Sequence, residues 1–323
     1  MKMQFTDLPA PLVVIVGPTA VGKTEISSQL AERMGGEIVS ADSRLFYRGM
    51  DIGTAKPTIA ERRGVPHHLI DVADPDDVWS LARYQQAARE TIAGIHTRRR
   101  LPFMVGGTGQ YVRAVVEGWL PPPQSPDERL RTVLTRWGEE CGAGTLHQRL
   151  TVIDPEAASR IDPQNLRRTV RALEVIFHTG HKFSSQRRRG TSPYNLLMIG
   201  ITRPRSELYA RIDARIETML AAGFQNEVRA LLDQGYSPSL PTLSAIGYGE
   251  MVAYLKGSLL LEDAVARMKR RTRVFVRRQA NWFKETDPEI HWFDARQLNV
   301  VEVIERRIRN GQGWEPSVAP TGV

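Results

Sequence analysis

The first apolar pattern in the chain is Leu12-Val13-Val14-Ile15-Val16, a largely β-branched run that stops at Gly17. A strand covered on both faces has this pattern, because neither side alternates with polar residues. After Lys23 the apolar spacing becomes Ile26, Leu30, Ala31 and Met34, which predicts a helix ended by Gly35-Gly36. Glu37-Ile38-Val39-Ser40, His68-Leu69-Ile70-Asp71-Val72 and Pro102-Phe103-Met104-Val105 predict three further strands, the last running into Gly106-Gly107. Strands that alternate with helices predict a parallel α/β sheet.

Past Gly118 the strand pattern stops. Pro121-Pro122-Pro123 and Pro126 interrupt the chain, and residues 121–190 carry helical spacings only. They predict an all-helical insertion domain between two parts of one α/β core, residues 1–120 and 191–310. Asp154-Pro155 and Asp162-Pro163 each offer an N-cap followed by proline at the first helical position. The second predicts a helix with Leu166, Val170, Leu173 and Phe177 on one face, closed by Gly180. A basic loop from Ser184 to Gly190 precedes Leu196-Leu197-Met198-Ile199-Gly200-Ile201, which returns the chain to the sheet. Helices then predominate to about residue 285, and residues 311–323 are expected to be a flexible tail.

The composition is that of a globular chain: 323 residues, 41% apolar and 25% charged, which excludes wholesale disorder, collagen or coiled coil. A formal charge of +8 adds the expectation of a polyanionic partner. Cys141 is the only cysteine, so neither an intramolecular disulfide nor a thiolate metal cluster can form, and a reducing cytosol is expected. Met1 to Pro9 includes Asp7 and no long apolar core, and no stretch approaches the roughly 20 apolar residues of a membrane span. A cytoplasmic monomer with no membrane association is the resulting expectation.

The strongest chemical signal is Gly17-Pro18-Thr19-Ala20-Val21-Gly22-Lys23-Thr24, a Gly-x4-Gly-Lys-Thr phosphate loop between a buried strand and a helix. Its glycines let backbone amides converge on an anion, the helix N-terminus adds its dipole, Lys23 adds a point charge, and the Thr24 hydroxyl is a candidate Mg²⁺ ligand. An ATPase or GTPase would add an acid at the end of a later strand. Here Phe103-Met104-Val105 instead runs into Gly106-Gly107-Thr108-Gly109. The carboxylate that does follow a strand is Asp42, a candidate general base at the carboxyl edge of the sheet. On pattern alone Asp42 serves equally well as the cap of the turn that follows.

Residues 262–284 predict a long helix with Val265, Met268, Thr272, Phe275, Gln279, Trp282 and Phe283 on one arc. Arg267, Arg270, Arg271, Arg273, Arg277 and Arg278 fall on or beside the opposite arc, with no acid between Arg267 and Lys284. Such one-signed charge points to contact with a phosphate backbone. Arg167, Arg168 and Arg171 line the exposed side of the insertion helix. Arg205, Arg211 and Arg215 accompany the stripe Leu208, Ile212, Ile216 and Met219, and their spacing leaves open whether they reach a diphosphate or form surface ion pairs. His67-His68 lacks a second ligand pair and reads as structural, Cys141 lacks the motif of a catalytic thiol, and Trp79 and Tyr84 are assigned to the core.

The phosphate loop, Ala41-Asp42-Ser43-Arg44-Leu45-Phe46-Tyr47 and Asp51-Ile52-Gly53-Thr54-Ala55-Lys56-Pro57 together resemble the tRNA dimethylallyltransferase (isopentenyltransferase) family. The likeness continues in Pro66-His67-His68-Leu69-Ile70-Asp71, Gly106-Gly107-Thr108-Gly109, Arg171-Ala172-Leu173-Glu174-Val175, Ile246-Gly247-Tyr248 and Arg277-Arg278-Gln279-Ala280-Asn281-Trp282-Phe283, and covers about residues 12 to 285. It implies a P-loop NTPase-like, nucleotide-kinase-like sheet. It also implies transfer of a dimethylallyl group from dimethylallyl diphosphate to N6 of the adenosine 3′ of the anticodon, with Mg²⁺ on Thr24.

In that family pattern Gly17 to Thr24 and Arg205 hold the diphosphate, Asp42 takes the N6 proton, and Thr19 and Thr108 flank the reaction channel. Asp42, Ser43, Arg44 and Leu45 match the tract that recognises the target base, where many members carry Gln in place of Leu45. The insertion is implied to be the arm that closes over the anticodon stem-loop, with tRNA contacts from Leu166, Arg167, Arg168, Thr169 and Val170. Arg129 or Arg131 is implied at the channel mouth. Gly247, Tyr248, Arg270, Arg277, Arg278, Gln279, Trp282 and Lys284 are the further implied tRNA contacts. Without the resemblance, a P-loop kinase of a nucleoside or small metabolite, or a non-catalytic nucleotide-dependent RNA-binding protein, would fit the loop.

Overall fold

The computed structural model describes residues 9–120, 127–186 and 190–311. In chain order they form β1 (Ala10–Val16), α1 (Lys23–Met34), β2 (Glu37–Ser40), β3 (His67–His68), α2 (Leu81–Thr97), β4 (Pro102–Gly106) and α3 (Gly109–Val116). Then come α4 (Glu128–Cys141), α5 (Ala143–Ile153), α6 (Pro155–Ala158), α7 (Leu166–Thr179) and α8 (Phe183–Gln186). The chain ends with β5 (Tyr194–Thr202), α9 (Arg205–Ala221), α10 (Phe224–Asp233), α11 (Tyr248–Leu255), α12 (Leu261–Gln279), β6 (Ile290–Asp294) and α13 (Val300–Arg309). The chain divides into two compact units, Met1–Val116 with Ser192–Val323, and Glu117–Thr191.

In the first unit the strands form one parallel sheet in the order β3-β2-β4-β1-β5-β6. Leu12 through Val16 have no exposed surface, as their unbroken apolar run requires. β1 lies between β4 and β5, so the chain leaves β1, skips a position to β2, and later fills the gap with β4. The carboxyl ends of β1, β2 and β4 therefore meet at a switch point of the topology, where α/β sheets bind ligands.

One strand expectation needs correction, and one strand was not predicted. Of the expected third strand, His68 to Val72, only His68 pairs with β2, together with the preceding His67. Leu69 (φ 59°) and Asp71 (φ 57°) take left-handed backbone, and the amides of Asp71 and Val72 donate instead to the carbonyls of Leu45 and Phe46. β6, a half-buried edge strand, lies past residue 285, where no strand was predicted. His68 has a structural role, with Nε2 2.7 Å from the Glu37 carboxylate that also binds Arg98. Tyr84 is fully buried and Trp79 packs against the core.

The second unit contains helices only among its described residues, around a core of its own that includes Leu134, Leu146, Leu150, Val170 and Leu173. Asp154 caps α6 through the Ala157 amide, with Pro155 following, as expected. The second Asp-Pro step behaves differently: Asp162 accepts from the Gln164 amide in a turn, and Asn165 is the residue that caps α7. Phe177 is 52% exposed, so the inward face of α7 is Val170, Leu173 and Ile176, against expectation. The proline run and Arg187 to Arg189 lie outside the described residues, as does the tail after Gly311.

Candidate active site

The phosphate loop leaves β1 at Gly17 (φ 151°), where a Cβ would sit 2.5 Å from the Ile201 carbonyl oxygen, so glycine is required for the loop to pass the neighbouring strand. Gly22 begins α1 in left-handed backbone and supplies no side-chain cap, which leaves the first-turn amides available to an anion. Ala20 also has positive φ, 67°. Left-handed backbone at a non-glycine is costly and tends to be stored where a ligand binds. The Lys23 ammonium folds onto the loop, donating to the Gly17 and Pro18 carbonyls at 3.0 and 2.9 Å. Burial lowers its pKa to about 8, partly opposed by Asp42 and reinforced by Arg215.

Asp42 sits just past β2. Its Oδ1 accepts from the Arg44 amide at 3.0 Å, so the turn-capping role is real. It occupies one oxygen only, and the carboxylate remains within the fields of Lys23 and Arg215. Thr108, past β4, is tied to the same turn: its amide donates to the Ala41 carbonyl and its hydroxyl accepts from the Ser43 amide, both at 3.3 Å. Arg44 is exposed and Leu45 half-buried. β4 ends without an acid, and a Cβ on Gly106 would meet the Ala41 oxygen at 2.3 Å.

Of the three α9 arginines, two reach the site. Arg211 Nε donates to the Ala20 carbonyl at 2.7 Å and Arg215 Nη2 to the Thr54 carbonyl at 3.3 Å. Arg205, to which the resemblance assigns the grip on diphosphate, is exposed at the start of α9. Arg211 and Arg215 are one turn apart on one face, whereas Arg205 projects roughly 240° round the helix from Arg211. Desolvation holds the Arg215 pKa below the usual guanidinium range, with Asp42 acting in the opposite sense. The Thr24 hydroxyl is the candidate Mg²⁺ ligand that the loop itself offers. Thr24 is exposed on the first turn of α1, and no group of His, Cys, Asp and Glu that could hold a metal is found among the described residues.

Several expected tRNA contacts are turned inward. Gln279 is 8% exposed and bridges two loops, with Oε1 accepting from the Thr19 amide at 2.8 Å and Nε2 donating to the Gly107 carbonyl at 3.1 Å. Tyr248 is 1% exposed, and Gly247 is the N-cap of α11 at a positive φ of 96°, its amide spent on Glu250. Trp282 is half-buried against Gly109, where a Cβ would meet its Cγ at 2.2 Å. On α12 the inward positions are Ala264, Met268, Val276 and Gln279, so Phe275 lies outside at 41% exposure.

Arg271 pairs with Glu250 and Arg273 with Asp213, which makes both arginines structural. Arg267, Arg270, Arg277, Arg278 and Lys284 are exposed. In the insertion Arg167 and Arg168 are exposed and Leu166 is half-buried, whereas Thr169 and Val170 face that unit's interior. Arg131 and Arg171 both bind the buried Glu174 at 3.0 Å, leaving Arg129 as the exposed member of the Arg129/Arg131 pair.

The roles of Gln279, Arg215 and Glu227 have no local signature in the sequence. The only available signal was the α9 stripe, which places Arg211 and Arg215 on one face. The Asp51–Pro57 tract is a folded strap in which buried Lys56 binds the Tyr47 carbonyl and the carboxylates of Asp51 and Asp71.

A phosphate loop on the first strand of a parallel sheet, facing a carboxylate from the second strand and lacking the acid that organises a hydrolytic water, defines a P-loop α/β protein built to hold a phosphate or diphosphate beside a group-transfer site. Comparison with known proteins narrows this class. The IPP transferase model matches residues 45–286 and the isopentenyl transferase model residues 10–73. The chain is 54% identical over 274 residues to a tRNA dimethylallyltransferase of Roseiflexus sp. (strain RS-1), covering 85% of this chain and 90% of that one. It is 47% identical over 298 residues to the Thermomicrobium roseum protein of the same name, covering 92% and 90%.

Among solved structures, the tRNA isopentenylpyrophosphate transferase of Bacillus halodurans superposes with a TM-score of 0.70 at 44% identity, over 93% of this chain and 95% of that one. A eukaryotic dimethylallyltransferase described as acting on tRNA gives 0.77 at 27% identity, over 93% and 79%. The chain belongs to the IPP transferase family.

Proposed function

We propose that this protein transfers the dimethylallyl group of dimethylallyl diphosphate to N6 of the adenosine 3′ of the anticodon in tRNA, releasing diphosphate. One observation carries the reading. Lys23 and Arg211 donate to carbonyls of the loop and Arg215 to the Thr54 carbonyl, yet the strand beside the loop ends in Gly106-Gly107, and the carboxylate acting on both Lys23 and Arg215 is Asp42. A loop so built suits a diphosphate leaving group better than hydrolysis of a nucleotide.

The N6 lone pair attacks the allylic carbon of the donor and the carbon–oxygen bond breaks, its electron pair leaving on the diphosphate. N6 then loses a proton, which the carboxylate of Asp42 takes up. Lys23, the loop amides, Arg211 and Arg215 hold the diphosphate and stabilise the charge that grows on it. Thr24 would help to hold a Mg²⁺ ion, which would supply further charge neutralisation. The adenosine must leave its stack to reach Asp42. The exposed Arg270, Arg277 and Arg278, with Arg167 and Arg168 on the insertion, supply backbone contacts that hold the RNA. No helix among the described residues is long and apolar enough to cross a membrane. A site of action in the cytoplasm, where the tRNA is, and a monomeric state complete the proposal.

The test is incubation with unmodified tRNA, dimethylallyl diphosphate and Mg²⁺, followed by mass analysis of the nucleosides. Adenosine carrying one dimethylallyl group is expected at the position 3′ of the anticodon. Unchanged tRNA, with ATP consumed in the presence of a nucleoside or small metabolite, would replace this reading by a kinase.

A further inference from the structure

Glu227 on α10 belongs to no motif, yet its carboxylate is the most heavily bonded acid near the site. Oε2 accepts from the amides of Asp51 and Ile52 at 2.8 and 2.6 Å, and Oε1 from the Gly53 amide at 3.1 Å and the Tyr248 hydroxyl at 2.6 Å. Three successive amides converging on an anion form a nest, a geometry that usually receives phosphate. Here a side chain of the same protein fills it. Tyr248 remains a donor, because burial and then the Glu227 charge push its pKa far above the ordinary phenol value.

The ring of Phe224 packs edge-on against Tyr248, 5.1 Å between centroids, and both rings close on Gly53, where a Cβ would lie 2.1 Å from Phe224 Cε2. The 51–53 turn is thus fixed from α10 and α11. The next residue, Thr54, offers its carbonyl to Arg215. Arg215 in turn lies in the fields of Lys23 and Asp42.

We propose that Glu227 and Tyr248 are positioning residues for the donor site, holding the 51–54 turn so that the Thr54 carbonyl aims Arg215 at the diphosphate. The inference rests on the reading of the phosphate loop as the donor's diphosphate site. It assigns Tyr248 a role on the donor side and none in contact with tRNA. A guanidinium on a long side chain samples many rotamers unless an acceptor fixes it, and much of its value to an anion depends on being held in place beforehand.

The test uses the full chain with Tyr248→Phe, Glu227→Gln, Glu227→Asp and Arg215→Ala, alone and combined. It reads the KM for dimethylallyl diphosphate, the KM for tRNA, kcat, and calorimetric binding of inorganic diphosphate. Loss of one hydrogen bond predicts that Tyr248→Phe raises the donor KM and the diphosphate Kd about 3- to 10-fold, and Glu227→Gln about 10- to 100-fold, with the tRNA KM unchanged. Glu227→Asp should recover part of the loss. Neither variant should add to the defect of Arg215→Ala. Donor KM and diphosphate Kd within twofold of wild type in Tyr248→Phe, or a full effect that persists without Arg215, would overturn the inference. If Glu227→Gln does not fold, Tyr248→Phe and its combination with Arg215→Ala decide the matter. Wild-type protein that binds no inorganic diphosphate would overturn the donor-site reading itself.

Discussion

Replacing Gln279 by methionine separates two roles for the residue, tRNA contact or loop brace, because methionine keeps the length and approximate volume while removing both polar groups. The structure sets the magnitude. Two hydrogen bonds are lost, at 2.8 Å from the Thr19 amide and 3.1 Å to the Gly107 carbonyl, at a side chain 8% exposed where water cannot readily replace them. At about 0.5–1.5 kcal/mol each the sum is about 1–3 kcal/mol, a melting-temperature drop of a few degrees for a chain of this size. With Thr19 released, the loop is less organised for an anion, and the donor KM should rise by up to about tenfold while tRNA affinity stays the same. Gln279→Glu sharpens the contrast. A carboxylate still accepts from the Thr19 amide, but it faces the Gly107 oxygen and repels the diphosphate, so donor binding should weaken further than with methionine. Thermal denaturation, steady-state kinetics and filter binding of tRNA measure these effects. Unchanged melting and donor KM with weakened tRNA binding would refute the reasoning and return Gln279 to the RNA surface.

Asp42→Ala should leave donor and tRNA binding nearly intact and lower single-turnover rates by about 10²–10⁴-fold; rates within a few-fold of wild type would remove Asp42 as the base. Lys23 releases its proton near pH 8 in the folded, ligand-free protein and near 10.5 when unfolded. Between those values the unfolded chain binds more protons, so the Lys23 contribution to stability rises with pH, whereas donor affinity falls above about pH 8 because the diphosphate needs the ammonium. Lys23→Met should flatten that donor profile. The exposed arginines predict a linear fall of log tRNA affinity with log salt, about 0.7 to 0.9 per phosphate contact. Arg270→Ala with Arg277→Ala, or Arg167→Ala with Arg168→Ala, should make the slope shallower without changing affinity for dimethylallyl diphosphate, and an unchanged slope in both would make these arginines a solvated surface only.

What the chain disclosed by itself was whatever local pattern controls. The run Leu12–Val16, the phosphate loop and the 26/30/31/34 spacing led directly to β1, the anion site and α1, because a strand covered on both faces and a helix N-terminus each leave a local signature. The segment after His68 has strand composition, but its path is set by bonds to Leu45, Phe46 and Lys56, which no window around residue 70 contains. Periodicity placed the start of α12 but overran its end, which falls at Gln279 and leaves Trp282 and Phe283 outside the helix, and it misplaced the inner edge, exchanging Phe275 for Val276, since the arc that becomes buried depends on where α9 and α11 lie. Arg271 and Arg273 looked like free charge because their partners, Glu250 and Asp213, are 21 and 60 positions away. Gln279 acts across 260 positions on Thr19, and Glu227 across 176 on Asp51. Roles built from such distant contacts have no signature in one sequence. The resemblance assigned Gln279 to the tRNA, and the fold turns its amide to the loop.

The central claim, that a loop resembling a nucleotide site holds the diphosphate of a prenyl donor, is tested most directly by calorimetric titration of dimethylallyl diphosphate into wild-type and Lys23→Ala protein, with inorganic diphosphate and ATP as competitors. The account predicts that inorganic diphosphate competes with the donor in the wild type, and that Lys23→Ala loses affinity for both while tRNA binding persists. Donor binding that survives Lys23→Ala unchanged, with only ATP binding lost, would contradict it.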